Sequence, residues 1–355
     1  MSTLLLLLQC GMLSSATMDV YRTTDIDQLE FQSLKAYVLT LEENFDEAEA
    51  ILLGLPVQNN LVFYWLALGR SLESRQRFVE ASEIYMRLHD RKADIYSPYV
   101  LHEMSMYGAA KAGIEPTEYL SDVLAQYPTF QPAIIDYLNS LQYEMQPDRI
   151  ISHIIPAIKS DNDCLHWRLC WWMAYAYYMK SDGKAAATWI DRAIEQFRDV
   201  SNLILYGSIL MDLFNDRPKA SPYYLEAIEN APLDIAAYEG ALMTLYGRDS
   251  TLYEDTKRAY FELFGNSQVV DHWCFRMFIH LIEADYVQAM YELENMPEEA
   301  GTRAQKSVCR LVKYSREKTL TKSDVERFYT QSAEAGKIAD LVWLITHLID
   351  KEGGS

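Results

Sequence analysis

The chain has 355 residues with 51 Asp and Glu against 32 Lys and Arg, and its formal charge of −19 argues against general binding to phosphate backbones. Half of it is apolar, ample for a core, while Gly (14) and Pro (11) are too scarce for long disordered segments. Five cysteines at irregular spacing form no disulfide framework and point to a reducing, intracellular compartment, cytoplasm or nucleus.

The N-terminal MSTLLLLLQCG sets Leu4 to Leu8 ahead of Cys10. A secretory signal starts with positive charge, and no Lys or Arg precedes Arg22. Gln9 is also bulkier than the small residue expected before a lipidated cysteine. The segment therefore reads as a buried first helix within a cap over residues 1–24.

From residue 25 onward nearly everything reads as helices of roughly 12 to 16 residues with short polar connections. ENFDEAEAILLGLP places Ala48 in a second helix, with Phe45 before it. Next comes Trp65-x2-Leu68-Gly69-x2-Leu72, followed by Ala81-x3-Tyr85. A small residue at Gly69 lets two antiparallel helices approach closely, and Ala81 does the same from the second helix. Trp65, Leu72 and Tyr85 then fill the space around that contact. The same frame returns at Ala186, Ile190 and Ala193, at Ala220, Tyr224 and Ala227, and at Trp273, Tyr286 and Ala289. The steps are 33 from Ala48 to Ala81, 34 from Ala186 to Ala220, and 69 from Ala220 to Ala289. The interval of 105 from Ala81 to Ala186 makes three periods, with Glu118 and Ser152 as the intervening anchors of degenerate repeats.

This pattern closely resembles the tetratricopeptide repeat (TPR), W-x2-L-G-x2-Y followed by A-x3-F and a closing proline. The resemblance implies an all-α fold, a right-handed α-solenoid of helix-turn-helix repeats. About eight repeats, two or three of them degenerate, cover residues 25–300, and residues 301–355 form a C-terminal helical cap.

Within that frame lies HWRLCWWMAYAYYMK. Eleven uncharged residues separate Arg168 from Lys180, five of them aromatic. A membrane span needs about 20. A helix touching its own partner and both neighbouring repeats can be apolar almost all round without a membrane. Transferred from the repeat family, the groove-facing stripe would be Arg168, Trp171, Tyr175 and Tyr178 here. It would be Phe63, Leu66, Arg70 and Glu73 earlier, and Leu205, Ile209 and Asp212 later. Aromatics with arginine are the residue types that anchor interfaces. Tight winding that buries the same residues against neighbouring repeats is the open alternative.

Residues 301–355 carry ten Lys and Arg against seven Asp and Glu, a local +3, which leaves −22 on the first 300. Arg303, Lys306, Arg310 and Lys313 fall within about 80° on a helix, a stripe able to grip an acidic partner or a second copy of the chain. A solvated outer face is the alternative.

No phosphate loop, GxSxG, HExxH or EF-hand sequence occurs. Cys164, His166 and Cys170 cluster, as do His272 and Cys274, but not at C-x2-C spacing and three repeats apart. The sequence therefore predicts no metal, no cofactor and no catalysis, and reads these cysteines as buried thiols.

The expected function is a non-enzymatic scaffold that binds other proteins, with no nucleic-acid or membrane partner. LLLLLQCGMLSSATM, LKAYVLTLEENFDEAEAIL and YEDTKRAYFELFGNSQVVDHW further resemble the TPR subunits of the anaphase-promoting complex, notably the accessory metazoan subunit. That resemblance implies a homodimer formed through N-terminal repeats within a ubiquitin-ligase assembly. This chain is shorter and lacks a long C-terminal extension. A chaperone or adaptor clasping an extended peptide, and a regulatory domain of a signalling system, are the competing readings.

Overall fold

The computed structural model of the chain describes residues 2–21, 27–57, 61–89, 96–113, 116–141, 146–161 and 163–267, and single positions between 269 and 288. Every regular element among them is helical. They are α1 (Ser2–Gln9), α2 (Gln28–Leu41), α3 (Phe45–Gly54), α4 (Val62–Ser74), α5 (Phe78–His89), α6 (Ser97–Ala112), α7 (Thr117–Gln126) and α8 (Gln131–Leu141). Then follow α9 (Pro147–Ser160), α10 (Trp167–Met179), α11 (Gly183–Gln196), α12 (Val200–Ser208), α13 (Arg217–Asn230), α14 (Ile235–Leu245) and α15 (Ser250–Phe264). A 3-10 turn spans Met18–Tyr21, and α12 runs on into a π-helical turn, Ile209–Leu213. The fold is all-α, built from TPR-like helix-turn-helix repeats, and divides into two compact units, Met1–Ala220 and Ser221–Ser355.

Local chemistry sets the helix limits. Asp27, Asp182, Asp199, Asp234 and Asp249 each accept a backbone N–H at a helix start. The first helices of the pairs stop at a left-handed residue: Glu43, Gln76, Gly113, Ser181, Asn215 and Gly247, with φ from 52 to 70°. The following N–H then reaches back to a carbonyl of the last turn, Asn44 to Leu39 (2.9 Å), Arg77 to Leu72 (2.8 Å) and Asp182 to Tyr177 (2.9 Å). Glu43 and Gln76 are 33 residues apart, Ser181 and Asn215 34, so the backbone itself carries the period.

In the first unit each helix from α2 to α11 packs on its successor, and α2 also packs on α4, α10 on α8. Ala48, Ala81, Ala186 and Ala220 are fully buried, as the frame requires, and Tyr85 and Tyr224 nearly so. A Cβ on Gly69 would lie 2.7 Å from the Tyr85 ring, so this glycine is what admits the tyrosine. Trp65 and Leu68 are half-buried against the core. Ala289, like Trp273 and Tyr286, lies outside the described residues. Side chains of successive first helices are tied at one-repeat separations. Arg70 pairs with Glu103 33 residues on, Trp172 with Asn139 33 back, and Tyr178 with Asp212 34 on.

The degenerate anchors need correcting. Glu118 and Ser152 are exposed. The residues buried in α7 are Leu120 and Val123, because α7 starts four residues after Gly113 whereas α5 starts two after Gln76. In α9 the inward face runs through Ile150, Ile154 and Ala157, which leaves Ser152 outside. The first helix is buried as expected: Leu4 is 1% exposed, and Leu5 and Leu8 also belong to the core.

In the second unit α14 packs on α15 around Tyr238, Tyr260, Phe264 and Phe275. The buried Arg276 donates to the Phe264 and Ser267 carbonyls (3.0 Å each), neutralising the end of α15. No helix among the described residues is long and apolar enough to cross a membrane.

Candidate protein-binding pocket

The aromatic helix α10 is met by α8, α9 and α11, which explains why it can be apolar on most sides. Where it faces α8 and the start of α12, a pocket of about 340 Å³ opens, lined by Asn139, Trp167, Arg168, Trp171, Trp172, Asp199 and Ser201. Its walls are fixed by hydrogen bonds. The Trp172 indole N–H donates to Asn139 Oδ1 (3.2 Å) and that of Trp171 to the Ser201 carbonyl (3.1 Å). Trp171 lies parallel to Tyr175, centroids 5.4 Å apart and planes 3° apart, while Trp172 meets the same tyrosine edge-on at 5.9 Å. The exposed Arg168 guanidinium sits 5.1 Å from the Trp167 ring, itself packed on Phe197. Asp199, which caps α12, lines the same pocket. The Tyr178 hydroxyl donates to Asp212, whose carboxyl is raised by burial and held back by this bond.

The expected groove stripe therefore splits. Arg168 is exposed and Trp171, Tyr175 and Tyr178 are half-buried, with Arg168 and Trp171 lining the pocket. Phe63, Leu66, Leu205 and Ile209 are core residues instead, at 2%, 0%, 6% and 0% exposure. A first helix is flanked closely by the first helices before and after it, and these positions fill that contact. Phe63, for example, lies between Tyr37 (5.2 Å) and Tyr99 (5.5 Å), and Tyr99 continues to Phe130 (4.9 Å). Arg70 is committed to Glu103, 2.9 Å away and 2% exposed. The basic stripe Arg303, Lys306, Arg310 and Lys313 lies outside the described residues.

Around Arg70 runs a polar cluster that spacing alone did not reveal. Glu103 accepts from Tyr37 (2.6 Å) as well as Arg70, and the neighbouring His102 meets Asp136 at 2.8 Å. Burial pushes the Glu103 carboxyl up, yet Arg70, His102 and the two hydrogen bonds outweigh it and leave it below its ordinary value. Glu73 is the opposite case. Burial raises its carboxyl to about 7, against a hydrogen bond from Tyr85 that lowers it. Such arrangements tie successive first helices together.

The cysteines also differ from expectation. Cys10 and Cys164 are joined in a disulfide, Cα atoms 5.6 Å apart, while Cys170 is a buried thiol, raised to about 11 by burial. Cys274 lies outside the described residues. No group of three His, Cys, Asp or Glu among the described residues converges as metal ligands do. The second unit has a larger basin of about 650 Å³ with Tyr246, Arg248, Tyr253, Lys257 and Glu283, but its Lys257 is already paired with Glu283 (2.6 Å) and Glu254 (2.9 Å).

No protein-family model and no curated protein matches the chain. Among solved structures, one chain of the APC/C Cut9–Hcn1 hetero-tetramer is 13% identical, with a TM-score of 0.49 over 86% of this chain and 68% of that one. The human IFIT1 dimer with PPP-AAAA is 10% identical, TM-score 0.46, over 95% and 89%. A monomeric IFIT1 mutant with Gppp-AAAA is 11% identical, TM-score 0.49, over 94% and 93%.

Proposed function

We propose that the chain is a non-enzymatic scaffold subunit of a multiprotein assembly and seats a partner protein in the pocket between α8, α10 and α12. The supporting observation is a set of indoles fixed in place by Asn139 and Ser201 at a surface opening with Arg168 on its rim. Rigid aromatics beside an arginine lose little entropy on binding and anchor interfaces well. The charge of −19 favours proteins over nucleic acids as partners. The quoted likeness to subunits of the anaphase-promoting complex extends the proposal to a homodimer within a ubiquitin-ligase assembly.

Native purification of the tagged full chain, with mass spectrometry of what co-purifies, identifies the partner. Trp171→Ala with Tyr178→Ala is then expected to weaken its binding by on the order of 2 kcal/mol, roughly 30-fold, with the helical spectrum unchanged. Undiminished binding by a folded double variant would remove the pocket from the interface.

A further inference from the structure

Two of the helices that line the α10 pocket start at one covalent bond. α8 contributes Asn139, and the first turn of α10 contributes Trp167 and Arg168. Gln131, the first residue of α8, reaches the segment ahead of α10. Its amide nitrogen donates to the Cys164 carbonyl (2.9 Å), and its side-chain oxygen accepts the His166 N–H (2.7 Å). His166 in turn caps α10, its Nδ1 accepting the Arg168 N–H (3.0 Å). The disulfide from Cys10 to Cys164 brings the stretch after α1 onto this junction. Gln131 Nε2 lies 3.9 Å from Cys10 Sγ. Gly11, at φ +66°, is so near the His166 ring that a Cβ there would be 2.3 Å from Nε2. With Gly11 against it, the ring is held where Nδ1 meets Arg168. Leu4, Leu5 and Leu8 seat α1 itself in the core, while the disulfide is the covalent tie that sets Gly11 on the ring.

We propose that the Cys10–Cys164 bond is a redox control on the α8–α10–α12 pocket. Oxidised, it holds the first turn of α10, and with it Trp167 and Arg168, in the binding arrangement. Reduced, it frees Gly11 and the His166 cap and lowers the pocket's affinity for its partner. This rests on the reading of that pocket as the partner site. The reductant is a dithiol, acting by thiol–disulfide exchange. Cys10 is 1% exposed and Cys164 half-buried, so the reductant thiolate attacks Cys164 Sγ. The S–S bond breaks, and Cys10 leaves as a thiolate beside the Gln131 amide and takes up a proton. The second thiolate of the reductant then displaces Cys164, which is protonated in turn, and the reductant closes to its cyclic disulfide. Two electrons and two protons have passed to the protein. Cys170 does not compete for Cys164, because burial raises its thiol to about 11 and leaves it protonated.

The first arm of the test uses the full chain without a partner. Peptide mapping of chain purified without reductant should show Cys10 joined to Cys164. Dithiothreitol should reduce that bond in the folded chain, without denaturant, and oxidised dithiothreitol should restore it. Amide hydrogen exchange across residues 165–171 should run about 10-fold faster in the reduced chain and in Cys10→Ser than in the oxidised chain. The second arm measures binding of the co-purified partner. Reduction and Cys10→Ser should each weaken it about 10-fold, and reoxidation should restore it in the wild-type chain alone. Should Cys10→Ser fail to fold by circular dichroism, the cycle of reduction and reoxidation carries the comparison. Free Cys10 and Cys164 before reduction, a bond that yields only on unfolding, or unchanged exchange at 165–171 would overturn the proposal and leave the pocket standing as an interface. Equal acceleration throughout the first unit would make the bond a general staple and overturn it too. So would full binding by the reduced chain where Trp171→Ala with Tyr178→Ala weakens the partner. If neither reduction nor that double variant alters binding, the partner-site reading fails and this proposal with it.

Discussion

His166 shows how much one side chain can be asked to do. Its Nδ1 accepts the Arg168 N–H (3.0 Å) and caps α10, its backbone is held by Gln131, and Gly11 presses on its ring. Burial above all, with Arg168 adding to it and Asp136 opposing, lowers its pKa to about 3. The unfolded value is near 6.5, so the folded state resists protonation. Stability from this group is complete above pH 6.5 and is lost as pH falls from there toward 3, by about 2 kcal/mol at pH 5. Urea midpoints at pH 7 and pH 5 should therefore converge in His166→Asn, which keeps a capping oxygen but does not titrate. An unchanged slope would assign the acid sensitivity elsewhere. Gly69 supplies a second residue-scale prediction. Gly69→Ala should cost ~1–3 kcal/mol because its new methyl meets the buried Tyr85 ring, whereas Gly54→Ala, with nothing within 4 Å, should be neutral or slightly stabilising. Thermal melts that rank the two the other way would misplace the helix contact. Gly69 and Ala81 were legible in the sequence because close helix approach demands small residues. Gln131 was not, since an amide bridging two loops leaves no periodic trace.

At the scale of elements, the helix pairs were legible wherever a small residue marks the contact, and drifted where one is missing. Leu120 and the Ile150–Ile154 pair replace alanine in α7 and α9, and unequal turn lengths move the inward face by a step that counting could not supply. The α10 pocket was half legible for a related reason. Its aromatics lie on one helix, but Asn139, Asp199 and Ser201 come from neighbouring repeats, where a polar residue looks like any other surface position. The two adjacent indoles of α10 should respond differently to truncation. Trp172 is 5% exposed and hydrogen-bonded inside, so Trp172→Ala should cost ~3–5 kcal/mol of stability. Trp171→Ala should cost clearly less, since one face of its ring already meets the pocket. Equal losses in denaturant unfolding would return Trp171 to the core.

Across the whole chain, charge and period were the features most open to reading, because both are sums over many residues and survive local irregularity. The acidic 1–300 segment and the +3 of residues 301–355 give opposite local signs. Reversing Arg303, Lys306, Arg310 and Lys313 together is expected to weaken association with an acidic partner or second copy at about 50 mM salt and to matter little near 0.5 M. Sedimentation profiles identical to the parent's at low salt would leave that stripe as solvated surface. What a one-dimensional period cannot reveal is which out-of-period elements meet, and the bond from Cys10 to Cys164 is of that kind.

That bond bears on how the first unit comes apart. Side-chain ties between successive first helices there link residues 33 or 34 apart, such as Arg70 to Glu103 and Tyr178 to Asp212. A stack held by such neighbour contacts alone unravels from an end, one pair at a time. The N-terminal segment ties Leu5 to Tyr99 across 94 positions and Cys10 to Cys164 across 154. The end from which unravelling would start is thus anchored at the far side of four helix pairs. Closing a loop of that length removes about 5 kcal/mol of chain entropy from the denatured state, on a chain-entropy account. The stretch from α1 to α10 then melts cooperatively, as one body, and amide protons in α2 should exchange as slowly as those in α8.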